Sequence, residues 1–220
     1  MSAQRGGYVI ALLGAESTGK TTLAHALAGA LRREGRDATV VTEALREFCD
    51  QRQRTPREDE QRDIAQAQTQ RIAAAAARHE VVVADTSALM IAVYSDQVFG
   101  DTSLYADAEA AHADGCDLTL VTAIDLPWQP DGLQRDGPHV RGPVDTKVRQ
   151  ALARAGVAYG VVYGSGGDRL RAALDSVHRA LAPAPPPADA PQRWTWHCAR
   201  CGDTDDGNAR CLPTWPAAPA

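Results

Sequence analysis

Gly14-Ala15-Glu16-Ser17-Thr18-Gly19-Lys20-Thr21-Thr22 decides how the rest of this chain is read. The spacing G-x-x-x-x-G-K-[ST] is that of a phosphate-binding loop. Its flanks agree. Tyr8 to Leu13 is a short apolar run suited to a buried strand, and Leu23 to Leu31 continues as a helix with an apolar face. Gly14 and Gly19 let the backbone curl with its N–H groups turned inward, and the helix that follows adds the positive end of its dipole. Gly14, Glu16, Ser17, Thr18, Gly19, Lys20, Thr21 and Thr22 are therefore the expected ATP-binding residues. Lys20 would reach the β- and γ-phosphates, and the Thr21 hydroxyl would ligate Mg²⁺.

Working outward, Ala38–Thr42, Val81–Asp85 and Leu118–Thr122 are further apolar runs of strand length, and Tyr159–Tyr163 is a shorter, glycine-weakened one. Helical stretches separate them, the longest expected from about Glu58 to His79. Strand and helix alternating through the first 180 residues predict a doubly wound α/β sandwich with a parallel sheet. Ligands in such sheets bind beyond the carboxyl ends of the strands, so the residues just after each strand become the candidates for function.

Glu43 follows the second strand. A carboxylate there faces the phosphate loop and is placed to take the proton of a hydroxyl that attacks the γ-phosphate. Arg46 is then a substrate- or phosphate-binding candidate. An acidic residue at a helix start accounts for Glu43 equally well. Asp85 closes the third strand as a Walker-B aspartate does, holding Mg²⁺ directly or through water; a helix cap is the plainer alternative. The acceptor pocket is expected around Glu43, Arg46, Tyr94 and Tyr105. After the fourth strand, Ala123–Arg141 is Gly- and Pro-rich, charged and too long for a tight turn. A segment of this kind closes over phosphates and excludes water, with Arg135 and Arg141 as the cations that would neutralise the transferred group.

Composition excludes little and narrows much. Hydrophobic content of 44% and charged content of 23% are ordinary for a globular domain. A net charge of −5 offers no basis for nucleic acid or an anionic membrane as partner. No stretch is apolar enough to cross a bilayer and residues 1–7 lack a signal-peptide core, so a cytoplasmic location is expected.

Taken together, Gly14 to Leu23, Glu43-x-x-Arg46-Glu47, Asp85-Thr86 and Leu126-Pro127-Trp128-x-x-Asp131-Gly132-Leu133 resemble the ribosylnicotinamide kinase domain of NadR-type proteins. The resemblance runs from residue 8 to about 180. It implies a P-loop kinase-like three-layer sandwich with a five-stranded parallel sheet. The implied activity is transfer of phosphate from MgATP to the ribose 5′-hydroxyl of nicotinamide riboside, giving nicotinamide mononucleotide. Glu43, Arg46, Trp128 and Asp131 become the substrate-binding candidates. Proteins of that type also carry a helix-turn-helix and an adenylyltransferase domain; with residues 1–7 alone ahead of the first strand, neither is expected here. The pattern departs from the family after Leu133, where Gln134 stands in the place of an arginine and Arg135 follows. Kinases of another nucleoside or of a nucleotide fit the same loop, as does an ATP-dependent switch that binds a protein partner.

A kinase domain is thus expected over 1–182. The run 183–192 is too proline-rich for helix or sheet and reads as a stiff linker. The tail 193–220 is too small to hold a core unaided. It offers Cys198-x-x-Cys201 and Cys211 as candidate Zn²⁺ ligands, and Trp194, Trp196 and Trp215 as packing groups for this body or for a protein partner. A disordered tail with exposed thiols is the alternative. His25, His79, His112 and His178 fall in helical stretches and are expected to be surface or core residues.

Overall fold

The computed structural model describes residues 6–129 and 137–182. The linker and tail, with Cys198, Cys201 and Cys211, lie outside the described residues, as do Asp131 and Arg135. Each apolar run forms a strand where the sequence places it: β1 (Tyr8–Leu13), β2 (Ala38–Val41), β3 (Val81–Asp85), β4 (Leu118–Thr122) and β5 (Tyr159–Val162). They make one five-stranded sheet in the order β2-β3-β1-β4-β5, with every pairing parallel. The connecting helices are α1 (Lys20–Arg33), α2 (Ala44–Arg52), α3 (Gln61–Ala76), α4 (Ala88–Phe99), α5 (Tyr105–Gly115), α6 (Arg141–Arg154) and α7 (Gly166–Leu181). The long helix expected from Glu58 to His79 is α3, entered through a 3₁₀ turn at Glu58–Glu60 and ended at Ala76.

The strands are largely apolar because both faces of the sheet are covered. Ile10, Leu12, Val81, Val83 and Leu120 turn toward α1 and α7, where Leu27, Leu31 and Val177 complete one layer of core. Val9, Val82, Leu13 and Val121 turn the other way, toward α3, α4 and α6. Side-chain alternation along a strand thus builds two cores at once. Because β1 lies between β3 and β4, the strand order reverses at its edge, and a crevice opens beyond its carboxyl end. The chain leaving β1 there is the glycine-rich loop.

One polar chain crosses the second core. His112 is 1% exposed. Its Nδ1 lies 2.9 Å from Ser87 Oγ and its Nε2 2.9 Å from Thr119 Oγ1, which joins α5 to the start of α4 and to β4. Hydroxyls can donate or accept, so a neutral imidazole satisfies both contacts in either tautomer.

Burial pushes the His112 pKa down to about 4. This lies below the unfolded value of about 6.5. The native state therefore binds fewer protons, and the contribution is complete above the unfolded pKa and lost as pH falls toward the native one. Denaturant titrations should show a loss of about 2 kcal/mol between about pH 7.5 and pH 5 that His112→Gln does not share. Equal pH dependence of the two proteins would contradict this.

Candidate nucleotide and acceptor site

Three features of the glycine-rich loop follow from its backbone. Gly14 has φ +141° and Gly19 φ +76°, values that L side chains rarely adopt. A Cβ on Gly14 would stand 2.9 Å from the Thr122 carbonyl oxygen and would collide with its hydroxyl as well. Ser17 takes φ +54° without being glycine, and its side chain holds the strain in place. Its Oγ donates to Gln129 O at 2.7 Å and accepts the Gln129 N–H at 3.0 Å.

The loop ends at the N-terminus of α1, which has no side-chain cap. Its first N–H groups are the ones an anion would satisfy. Lys20 Nζ donates to Gly14 O and Ala15 O, both at 2.9 Å, so the ammonium lies folded over the loop. Thr18 Oγ1 lies 2.7 Å from both Ala15 O and Thr122 Oγ1, tying the loop to the end of β4.

A cleft of about 650 Å³ opens from the loop. Glu16, Ser17, Thr18, Gly19, Lys20, Thr21 and Thr22 line one end, and Glu43, Arg46, Gln61, Met90, Tyr94 and Phe99 are among the residues of the other. Glu43 occupies the N-cap position of α2 but makes no side-chain cap bond. Its carboxylate instead stands 3.8 Å from Arg46 Nε, its side chain 13% exposed. The geometry therefore favours a cleft-facing carboxylate over a helix cap. Asp85 closes β3 beside Leu12 of β1, 2% exposed, and its Oδ1 has no hydrogen-bond partner among the described residues. It caps no helix; the cap of α4 is Ser87, which accepts the Leu89 N–H. Asp85 does not itself line the cleft.

Other expected residues stand elsewhere. Trp128 is not a wall of the cleft; its Nε1 donates to Glu16 Oε1 at 3.2 Å, and the Gly137 N–H donates to the same oxygen at 3.2 Å. Arg141 is 8% exposed and donates from Nη1 to Leu126 O at 2.9 Å. Its Nε and Nη2 have no partner among the described residues. Tyr94 lines the cleft, but Tyr105 does not. Its hydroxyl donates to Asp96 Oδ2 at 2.9 Å, and the Arg154 guanidinium sits 4.6 Å from its ring centre. Tyr105 is thereby fixed within the α4–α5–α6 packing rather than at the acceptor.

Two glutamines emerge from the structure. Gln61 opens α3 within the cleft. Gln68, fully buried, accepts the Ala44 N–H at Oε1 (2.7 Å) and donates from Nε2 to Thr86 O (3.2 Å). An N–H can only donate and a carbonyl only accept, so these partners fix the amide's orientation. Gln68 thus clamps the residue after Glu43 to the residue after Asp85, where Thr86 holds a left-handed φ of +81°.

The sequence model of the AAA_28 family, described as an AAA domain, matches residues 9–169. No curated protein sequence matches. Among solved structures, NadR protein in complex with NAD and AMP-PNP is similar with TM-score 0.60 and 21% identity, over 79% of this chain and 49% of that one. NadR protein in complex with NR gives TM-score 0.63 and 23% identity, over 79% and 50%. Thymidylate kinase from Ehrlichia chaffeensis gives TM-score 0.56 and 16% identity, over 80% of this chain and 100% of that one. The chain spans about half the length of the NadR chains it matches. These likenesses establish the P-loop kinase-like fold, of the kind found in NadR.

Replacing Gln68 by Met keeps the volume and removes both polar contacts, leaving a buried N–H and a buried C=O unpaired. Denaturant unfolding should show a loss of about 2 to 4 kcal/mol. A loss under about 0.5 kcal/mol, the usual scatter of surface substitutions, would mean the clamp is not formed.

Proposed function

We propose, on the premise that this chain belongs to the AAA_28 family of AAA domains, that it is an ATP-dependent small-molecule kinase acting on the 5′-hydroxyl of a riboside. Nicotinamide riboside is the acceptor the reading favours. The observation that carries it is the cleft: its phosphate loop lies at one end and a carboxylate–guanidinium pair beside an apolar wall at the other. A hydrolase needs room for ATP and a water; here the cleft of about 650 Å³ extends from the phosphate loop to Glu43, Arg46 and α4, where a second substrate would sit.

In this reading ATP seats its phosphates on the loop N–H groups and the start of α1, and Lys20 leaves the loop carbonyls to meet the β- and γ-oxygens. Thr21 and Asp85 are the residues that would hold Mg²⁺. Their oxygens would suit a hard cation, and the buried Oδ1 of Asp85, with no hydrogen-bond partner among the described residues, is the observation that fits it. Bound there, Mg²⁺ offsets phosphate charge. Glu43 accepts the proton of the attacking hydroxyl, and Arg46 directs that carboxylate. Arg141, whose Nε and Nη2 have no partner among the described residues, supplies charge at the transferred group. Asp131 and Arg135 remain candidates of the same segment, Asp131 for substrate and Arg135 for phosphate.

A nucleotide acceptor is the second reading. It is favoured by Arg57, which lines the cleft with its side chain 71% exposed and could meet an acceptor phosphate.

The test is ADP release from MgATP with nicotinamide riboside, the common nucleosides and their monophosphates. Glu43→Gln should lower kcat by about 100-fold or more while ATP affinity stays within about twofold. Lys20→Ala should abolish turnover. ATP binding without stimulation by any acceptor would defeat the proposal.

A further inference from the structure

Glu43 follows β2 and Asp85 closes β3, two neighbouring strands of the sheet. The residue after each is held by one side chain, that of Gln68. Its Oε1 accepts the Ala44 N–H, the first of α2, and its Nε2 donates to Thr86 O. Gln68 is fully buried, and its neighbours on α3 anchor it, Ile64 in one core cluster and Ile72 in another. Both contacts fall where the backbone needs support. Glu43 makes no side-chain cap bond to α2, its carboxylate standing beside Arg46 instead, and Gln68 satisfies the first N–H of that helix from outside. Thr86 is a buried, β-branched residue at φ +81°, a conformation that persists only where the surroundings enforce it. The glycine-rich loop is held separately, on the other side of β1, by Thr122 of β4.

We infer that Gln68 is a positioning residue for phosphotransfer: it sets where the Glu43 and Asp85 carboxylates stand relative to each other. It acts through Ala44 and Thr86 and touches no substrate itself. The inference rests on the phosphotransfer reading and adds what aligns its two carboxylates. A base must lie within hydrogen-bond reach of the attacking hydroxyl, and a misplacement of about 1 Å can cost about 100-fold in rate. Because the phosphate loop is gripped from β4, loosening Gln68 spoils this alignment and spares nucleotide binding.

The test sets Gln68→Met against wild type, both as the full chain, with whichever acceptor supports turnover. Its kcat should fall by about 10- to 100-fold while ATP affinity, read by calorimetry, stays within about twofold. Gln68→Glu separates hydrogen bonding from bulk. A protonated carboxyl accepts from Ala44 and donates to Thr86 as the amide does, whereas an ionised one only accepts. Burial raises the pKa of such a carboxyl. Relative to wild type, kcat of Gln68→Glu should therefore lie within about threefold at about pH 6 and fall by about tenfold or more toward about pH 9. This profile decides the question even if Gln68→Met fails to fold. Three results would each overturn the inference and leave the kinase intact: an unchanged kcat in folded Gln68→Met, a loss of ATP affinity that matches the loss of kcat, or a level ratio across pH in Gln68→Glu. Absence of turnover with every acceptor would overturn the phosphotransfer reading and this inference with it.

Discussion

The contact between Gly14 and Thr122 governs the site. Beyond β1 the chain must turn back over the end of β4, and it passes so close to Thr122 that no side chain fits at position 14. The same threonine hydroxyl reaches Thr18, four residues later in the loop. Two neighbouring strands therefore grip the loop at Gly14 and at Thr18, and its curl is set by the sheet before any ligand arrives. A loop shaped in advance needs little further ordering when phosphate binds.

Glu16 and Ser17 carry that order outward. They lie inside the glycine-rich loop, yet their side chains engage Trp128, Gln129 and Gly137, on either side of residues 130–136. Arg141 adds a bond to Leu126. The described residues on either side of 130–136 are thus moored to the phosphate loop itself, with Arg141, whose Nε and Nη2 have no partner among the described residues, bonded back to Leu126. On the opposite side Gln68 joins the ends of β2 and β3. Positions beyond the ends of β1, β2, β3 and β4 are in this way linked by short polar contacts.

Much of this was legible in the sequence because its causes are local. Glycine spacing announces a positive-φ loop, and apolar runs covered on both faces announce parallel strands. Every strand falls where its run predicts, and Glu43 and Asp85 emerge simply as carboxylates after strands. The glutamines were harder. The buried positions of α3 are Gln61, Ile64, Ala65, Gln68, Ile72 and Ala75, one helical stripe. A glutamine on an apolar stripe is itself a signal, but which partner it meets depends on how α3 crosses the strand ends, and the sequence does not carry that crossing. Tyr105 and Trp128 show what chain position leaves out: their partly buried hydroxyl and indole N–H meet Asp96 and Glu16, partners that only the folded chain brings to them.

The central claim is that the cleft transfers a phosphoryl group to a second substrate rather than to water. The most direct measurement follows label from [γ-³²P]ATP in the presence of nicotinamide riboside and the common nucleosides. The account predicts that the label leaves ATP onto a riboside, yielding a phosphomonoester that a phosphatase releases. Label found only as inorganic phosphate, at a rate indifferent to every acceptor, would contradict it and describe an ATPase switch instead.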